Sequence, residues 1–83
     1  NEVVPHENLE YRARELAREL AHGPQVSMRL MKRSIYAATE LSFEQACEDI
    51  ASKTAVSDHH PDTREGVRAF QEKRQPQFND WLD

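Results

Sequence analysis

Cysteine, glycine and aromatic side chains are all scarce in this 83-residue chain, and each scarcity excludes something. The single Cys47 rules out an internal disulfide and any cysteine-rich metal centre. With Gly23 and Gly66 the only glycines, there is no glycine-rich loop to cradle phosphates. No apolar run approaches the ~20 residues that span a bilayer, and no signal-peptide pattern is present. Charge of one sign is missing too: 15 acidic and 11 basic side chains are intermixed, for a net charge of −4. Without a basic stripe, neither nucleic acid nor a membrane is expected as a partner. One Trp, two Tyr and three Phe, within 37% hydrophobic content, leave a thin core that contacts with another chain would have to supplement.

What is present is helical periodicity, and the expected fold class is all-α, about four helices with short loops. From Glu7 to Ala21, the residues Leu9, Ala13, Leu16, Ala17 and Leu20 recur at helical spacing, with Glu and Arg forming i,i+3 and i,i+4 pairs opposite. His22-Gly23-Pro24 ends that helix. Pro24 suits the first turn of a second helix to about Thr39, with Leu30, Met31, Ile35 and Ala38 facing inward and Met28 and Tyr36 off the stripe, facing a neighbouring surface. Ser42 with Gln45 forms a capping-box pattern for a third helix. Phe43, Ala46, Ile50 and Ala51 mark its buried side, and it should fade near Val56. After a loop at Ser57–Pro61, Asp62 offers an N-cap for a fourth helix, with Glu65 reaching back. Gly66 inside that helix implies close packing of another backbone, and Pro76 stops it.

Few residues suit chemistry. Phe70 and Lys73 are three apart, so a helix projects them from one face, with Arg74 beside them. An apolar ring next to a cation suits a nucleotide, the ring covering a base and the ammonium meeting a phosphate. The plainer alternative is a core Phe and a Lys-Arg pair that complements the helix dipole. Asp58-His59-His60 are neighbours on a loop with no further ligands to complete a metal site, so a solvated loop is expected and no metal. Glu48 and Asp49 beside Cys47 disfavour a reactive thiolate. No catalytic residue is assigned.

The closing run carries the most specific pattern: Asp62-Thr63-Arg64-Glu65-Gly66, then Ala69-Phe70-Gln71-Glu72-Lys73-Arg74-Gln75-Pro76-Gln77-Phe78. It resembles the signature of the enoyl-CoA hydratase/isomerase (crotonase) superfamily, D-x-x-E-G followed by A-F-x-x-K-R-x-P-x-F. Val3-Val4-Pro5 with Leu9, the Pro24–Lys32 stretch and Ser42 to Ala46 match the family more loosely. The resemblance implies the C-terminal helical region, residues 1–83, of a protein whose catalytic spiral of ββα units precedes it. The opening Asn1-Glu2-Val3-Val4-Pro5, with no initiator Met, is read the same way, as a processed or truncated product.

In that family the helical region builds trimers or dimers of trimers, so a homo-oligomer is expected. Phe70 and Lys73 correspond to residues that meet the adenosine and phosphate end of coenzyme A, bound as thioester substrate and not as a tightly held cofactor. An oxyanion hole and proton-moving carboxylates lie in the absent part, so the chain alone is expected to be inactive. The resemblance implies that the parent hydrates, isomerises, decarboxylates or dehalogenates its thioester, with hydratase (lyase) or isomerase chemistry in fatty acid metabolism as the leading expectation. The expected location is the bacterial cytoplasm, with the mitochondrial matrix as the alternative. Two other readings stand beside this one: a free-standing helical acyl-CoA-binding module, and a protein–protein interaction module unrelated to CoA.

Overall fold

A computed structural model describes residues 1–82. Among them are four α-helices, two single 3-10 turns (His6–Asn8 and Asp80–Leu82) and no strand. The helices are α1 (Leu9–Ala21), α2 (Gln25–Ala38), α3 (Phe43–Asp58) and α4 (Pro61–Glu72). The all-α reading holds. No described helix is long and apolar enough to cross a membrane.

Local chemistry accounts for each element. In α1, Arg12 pairs with Glu15 at 2.6 Å and Arg14 with Glu10 at 2.8 Å, the helical spacings read from the sequence. Arg12 also reaches Glu2 at 2.8 Å, tying the extended start of the chain to α1. These carboxylates, Glu2 first and then Glu15, raise the Arg12 pKa further above its already high value. The capping box of α3 is complete: Ser42 Oγ accepts from the Gln45 N–H, and the Ser42 N–H donates to Gln45 Oε1.

Several boundaries differ from the expectation. Pro24 is the N-cap of α2, extended at ψ 98°, and not its first helical residue. The α3 helix runs past Val56 to Asp58, where the His59 ring folds back to the Ala55 carbonyl at 2.8 Å and Thr63 Oγ1 donates to the Ser57 carbonyl at 2.7 Å. These bonds satisfy exposed carbonyls of the last turn, which shrinks the expected loop to His59-His60. Before Pro76 is reached, α4 has already stopped at Glu72, because Lys73 turns left-handed with φ 54°.

The glycines also work differently. Gly23 has no positive φ. A side chain there would meet the Met28 sulfur at 2.6 Å, so Met28 folds over the α1–α2 junction while remaining half-exposed. Gly66 does not meet another backbone: a Cβ there would touch the Phe78 ring at 3.5 Å, ordinary contact distance.

The main correction concerns burial. Among the described residues only Ala69 and Asp62 are buried. The stripes read as inward are open: Met31 and Ile35 are each 61% exposed, Ile50 50% and Phe43 84%. Only α2 and α3 pack extensively on each other. Their seam is pinned by Ser27 Oγ to Ser57 Oγ at 2.8 Å and by Ser34 Oγ donating to Asp49 Oδ2 at 3.0 Å. Lys53 and Ser34 together lower the Asp49 pKa. Along this seam runs a groove of about 410 Å³, walled by Leu30, Met31, Ile35, Ala38 and Ile50. The radius of gyration is 16.1 Å, against about 12 Å for a compact domain of this length. Helices with apolar stripes but no common core form an open arm.

Because Phe78 sits at contact distance from Gly66 without crowding it, Gly66→Ala is expected to stabilise α4 by up to about 1 kcal/mol, the helix-propensity gain. Thermal unfolding checks this; a lower midpoint would show that the Phe78 ring cannot yield.

Candidate functional site

The chemistry-bearing residues gather around the two ends of α4. At its start, His60 is the N-cap, with ψ 145°, and Pro61 occupies the first turn, where its missing N–H costs nothing. His60 Nδ1 accepts from the Asp62 N–H at 3.2 Å. Asp62, expected to cap the helix, does not do so. Its carboxylate is 4% exposed and turned toward the tail. Oδ1 accepts from the Asn79 N–H at 2.8 Å and Oδ2 from the Trp81 indole Nε1–H at 3.1 Å. A buried carboxylate needs such donors, and charge-assisted bonds to it are the stronger kind. Trp81 then stands edge-on to His60, ring centres 5.2 Å apart.

Asn79 extends the clamp to the α1–α2 junction. Left-handed at φ 69°, a conformation Asn tolerates, it donates from Nδ2 to the Gly23 carbonyl at 3.0 Å and accepts the Gln25 N–H at 3.2 Å. Through Asp62 and Asn79, α4, the tail and the α1–α2 junction share one hydrogen-bond network.

Glu65 does not reach back to a cap either. It takes a two-pronged bond from Arg74, at 2.6 and 3.0 Å, and accepts the Gln77 N–H at 2.8 Å. Arg74, then the Gln77 amide, pull the Glu65 pKa down from 4.5 to about 2. Arg74 is also held by Glu72 at 2.6 Å, so it is occupied inside the chain and its own pKa is raised.

At the other end of α4, Phe70 is 85% exposed, which rules out the core-residue alternative within this chain. Lys73 is close in sequence but not on the same helical face as expected: it is the left-handed C-cap, its N–H directed at the Ala69 and Phe70 carbonyls. For a residue other than Gly this conformation costs roughly 1–2 kcal/mol. His59 and His60 do not converge, since one bonds to Ala55 and the other caps α4. Among the described residues no cluster of three or more His, Cys, Asp or Glu could hold a metal. Cys47 is exposed.

Sequence reasoning missed the Asp62–Asn79–Trp81 clamp. Its signal was faint: one of several Asp residues and the chain's single Trp, 19 positions apart, with nothing in their spacing to say that they meet.

Two outcomes follow. Asp62→Ala leaves two tail donors without their acceptor and is expected to cost about 1–3 kcal/mol, read as a lower unfolding midpoint with a red-shifted Trp81 emission. The Glu65 pKa lies lower in the folded state than in the unfolded state. Its contribution is therefore complete above pH 4.5 and is lost as the pH falls toward about 2. Acid titration of unfolding should show this dependence, and Glu65→Gln should remove it.

Similarity to known proteins agrees with this architecture. A profile of the enoyl-CoA hydratase/isomerase family matches residues 1–81. The chain is 39% identical to the 1,2-epoxyphenylacetyl-CoA isomerase of Escherichia coli K12, over 93% of its own length and 29% of that protein. It superposes on the crystal structure of an enoyl-CoA hydratase from Bacillus anthracis with a TM-score of 0.85 at 30% identity, covering 92% of this chain and 30% of the other. A putative enoyl-CoA hydratase/isomerase from Mycobacterium abscessus gives 0.83 at 32% identity, covering 93% and 32%. The chain thus spans under a third of the relatives it matches. With sequence profile and helix arrangement pointing the same way, the chain belongs to the enoyl-CoA hydratase/isomerase family.

Proposed function

We propose that this chain is the C-terminal helical part of a protein acting on acyl-CoA thioesters, where it serves subunit assembly and presents Phe70 and Lys73 to the nucleotide end of coenzyme A. The observation that carries the reading is the C-terminal end of α4. There an exposed phenyl ring is followed three residues on by a lysine held in a costly left-handed backbone conformation, while the neighbouring Arg74 is already paired with Glu65 and Glu72. Strain retained at a surface position marks a candidate functional residue. Relatives named for acyl-CoA isomerisation and enoyl-CoA hydration supply the ligand class. Bond-making is assigned to residues outside this chain, through hydratase or isomerase chemistry. This reading is preferred over a free-standing acyl-CoA binder because Phe70 and the open helix faces have no cover within the chain. The bacterial cytoplasm is the proposed setting.

Coenzyme A titrated calorimetrically into the full-length protein tests the contact. Phe70→Ala should weaken binding roughly tenfold, the scale of one base–aromatic stack. Lys73→Gly should also weaken it, yet raise the unfolding midpoint, because Gly adopts the left-handed cap without strain. Pantetheine, which lacks the nucleotide, should bind all variants alike; equal losses for both ligands would defeat the assignment.

The assembly role has its own check. With Leu16, Leu20, Met31, Ile35 and Ile50 all exposed, residues 1–83 alone should self-associate. Light scattering that reports a strict monomer at high concentration would contradict it.

A further inference from the structure

Lys73 holds a left-handed backbone at the end of α4 without the glycine that such a helix end favours. The closing bonds do not ask for lysine. The Lys73 N–H is directed at the Ala69 and Phe70 carbonyls and the Arg74 N–H donates to the Ala69 carbonyl at 3.0 Å, bonds that glycine would make without the penalty. The offsetting interaction comes from Glu65, two turns back along α4 and half-buried. It accepts Arg74 Nη1 at 2.6 Å, Arg74 Nη2 at 3.0 Å and the Gln77 N–H at 2.8 Å. One carboxylate therefore grips the chain at the residue after Lys73 and again three residues further on. The remaining Arg74 nitrogen, Nε, donates to Glu72 at 2.6 Å, so the whole fork is spent on bracing the turn. With its pKa down to about 2, Glu65 stays ionised at any ordinary assay pH.

The direction of a Cα–Cβ bond follows from the backbone around it. Without the grip, Lys73 is free to return to the ordinary helical region and α4 can run on toward Pro76, which swings the lysine side chain to a new direction about the helix axis. Resting on the reading that Lys73 meets the nucleotide end of coenzyme A, we propose that Glu65 is the positioning residue of that contact: through Arg74 and Gln77 its carboxylate holds Lys73 in the left-handed turn from which the ammonium meets the ligand. Glu65 itself touches no ligand in this arrangement. Its effect on binding passes through Lys73 alone.

Calorimetric titration of coenzyme A and of pantetheine into the full-length protein tests this. Glu65→Ala should weaken coenzyme A binding roughly tenfold, the scale of one lost hydrogen bond to a charged group, and leave pantetheine binding unchanged. Arg74→Lys keeps the charge but not the two-pronged geometry, and should cost a similar factor. In a Lys73→Gly background no ammonium remains to be positioned, so Glu65→Ala should have no further effect on coenzyme A. Losses that add in the double variant would overturn the proposal, because Glu65 would then act through something other than Lys73. Tighter coenzyme A binding by Glu65→Ala would sink it too, since a freed Arg74 would be the better phosphate partner. An equal loss for pantetheine would reduce Glu65 to a general structural role. If the unsubstituted protein prefers coenzyme A to pantetheine and Glu65→Ala keeps that preference in full, this proposal fails and the nucleotide-end reading stands. If the unsubstituted protein binds both ligands alike, the reading fails and takes the proposal with it.

Discussion

The arrangement of this chain hangs on one buried carboxylate. Among the described residues Asp62 is the one charged group taken out of solvent, and it is tolerated there because two tail donors converge on its two oxygens. Without a common hydrophobic core to fix the tail, those bonds set the path of Phe78 to Leu82. The path in turn lays Phe78 across Gly66 and brings Asn79 to the α1–α2 junction. In a protein with a large core such a network would refine a geometry already decided by packing. Here it largely decides the geometry of the C-terminal half.

The rest of the chain shows what amphipathic helices do when their apolar faces have no cover. Intrahelical bonds, caps and ion pairs give each helix its form, and α2 and α3 share a seam pinned by hydroxyls. No layer closes over the groove between them. Burial of apolar surface is the dominant favourable contribution to folding, and among the described residues Ala69 is the one hydrophobic side chain fully buried, the others being half-buried or exposed. An arm of this kind is complete as secondary structure and incomplete as a domain. That matches a segment spanning under a third of its relatives.

The candidate ligand contact follows the same logic. Arg74 has the richer set of donors, yet Glu65 and Glu72 take them up, so it braces the turn after α4. Lys73 carries the backbone strain that lets the chain turn back toward Asp62. One left-handed residue thereby ends the helix and directs the tail.

Much of this was legible in the sequence because it is governed by short-range rules. Helix count, the Ser42–Gln45 box, the α1 ion pairs and the family signature depend on residues a few positions apart, where spacing alone dictates who meets whom. The left-handed turn at Lys73 was not legible, since nothing in the residue type asks for it. Nor was His60 as the cap of α4, because Asp62 satisfied the same local rule and only burial against the tail reassigned it. The apolar stripes were correctly placed on their helices, but the sequence could not say whether this chain or another covers them. Composition and periodicity determined the elements and their faces. Tertiary structure alone decided which carboxylate was buried and which glycine made room for a side chain, because those outcomes depend on contacts between residues far apart along the chain.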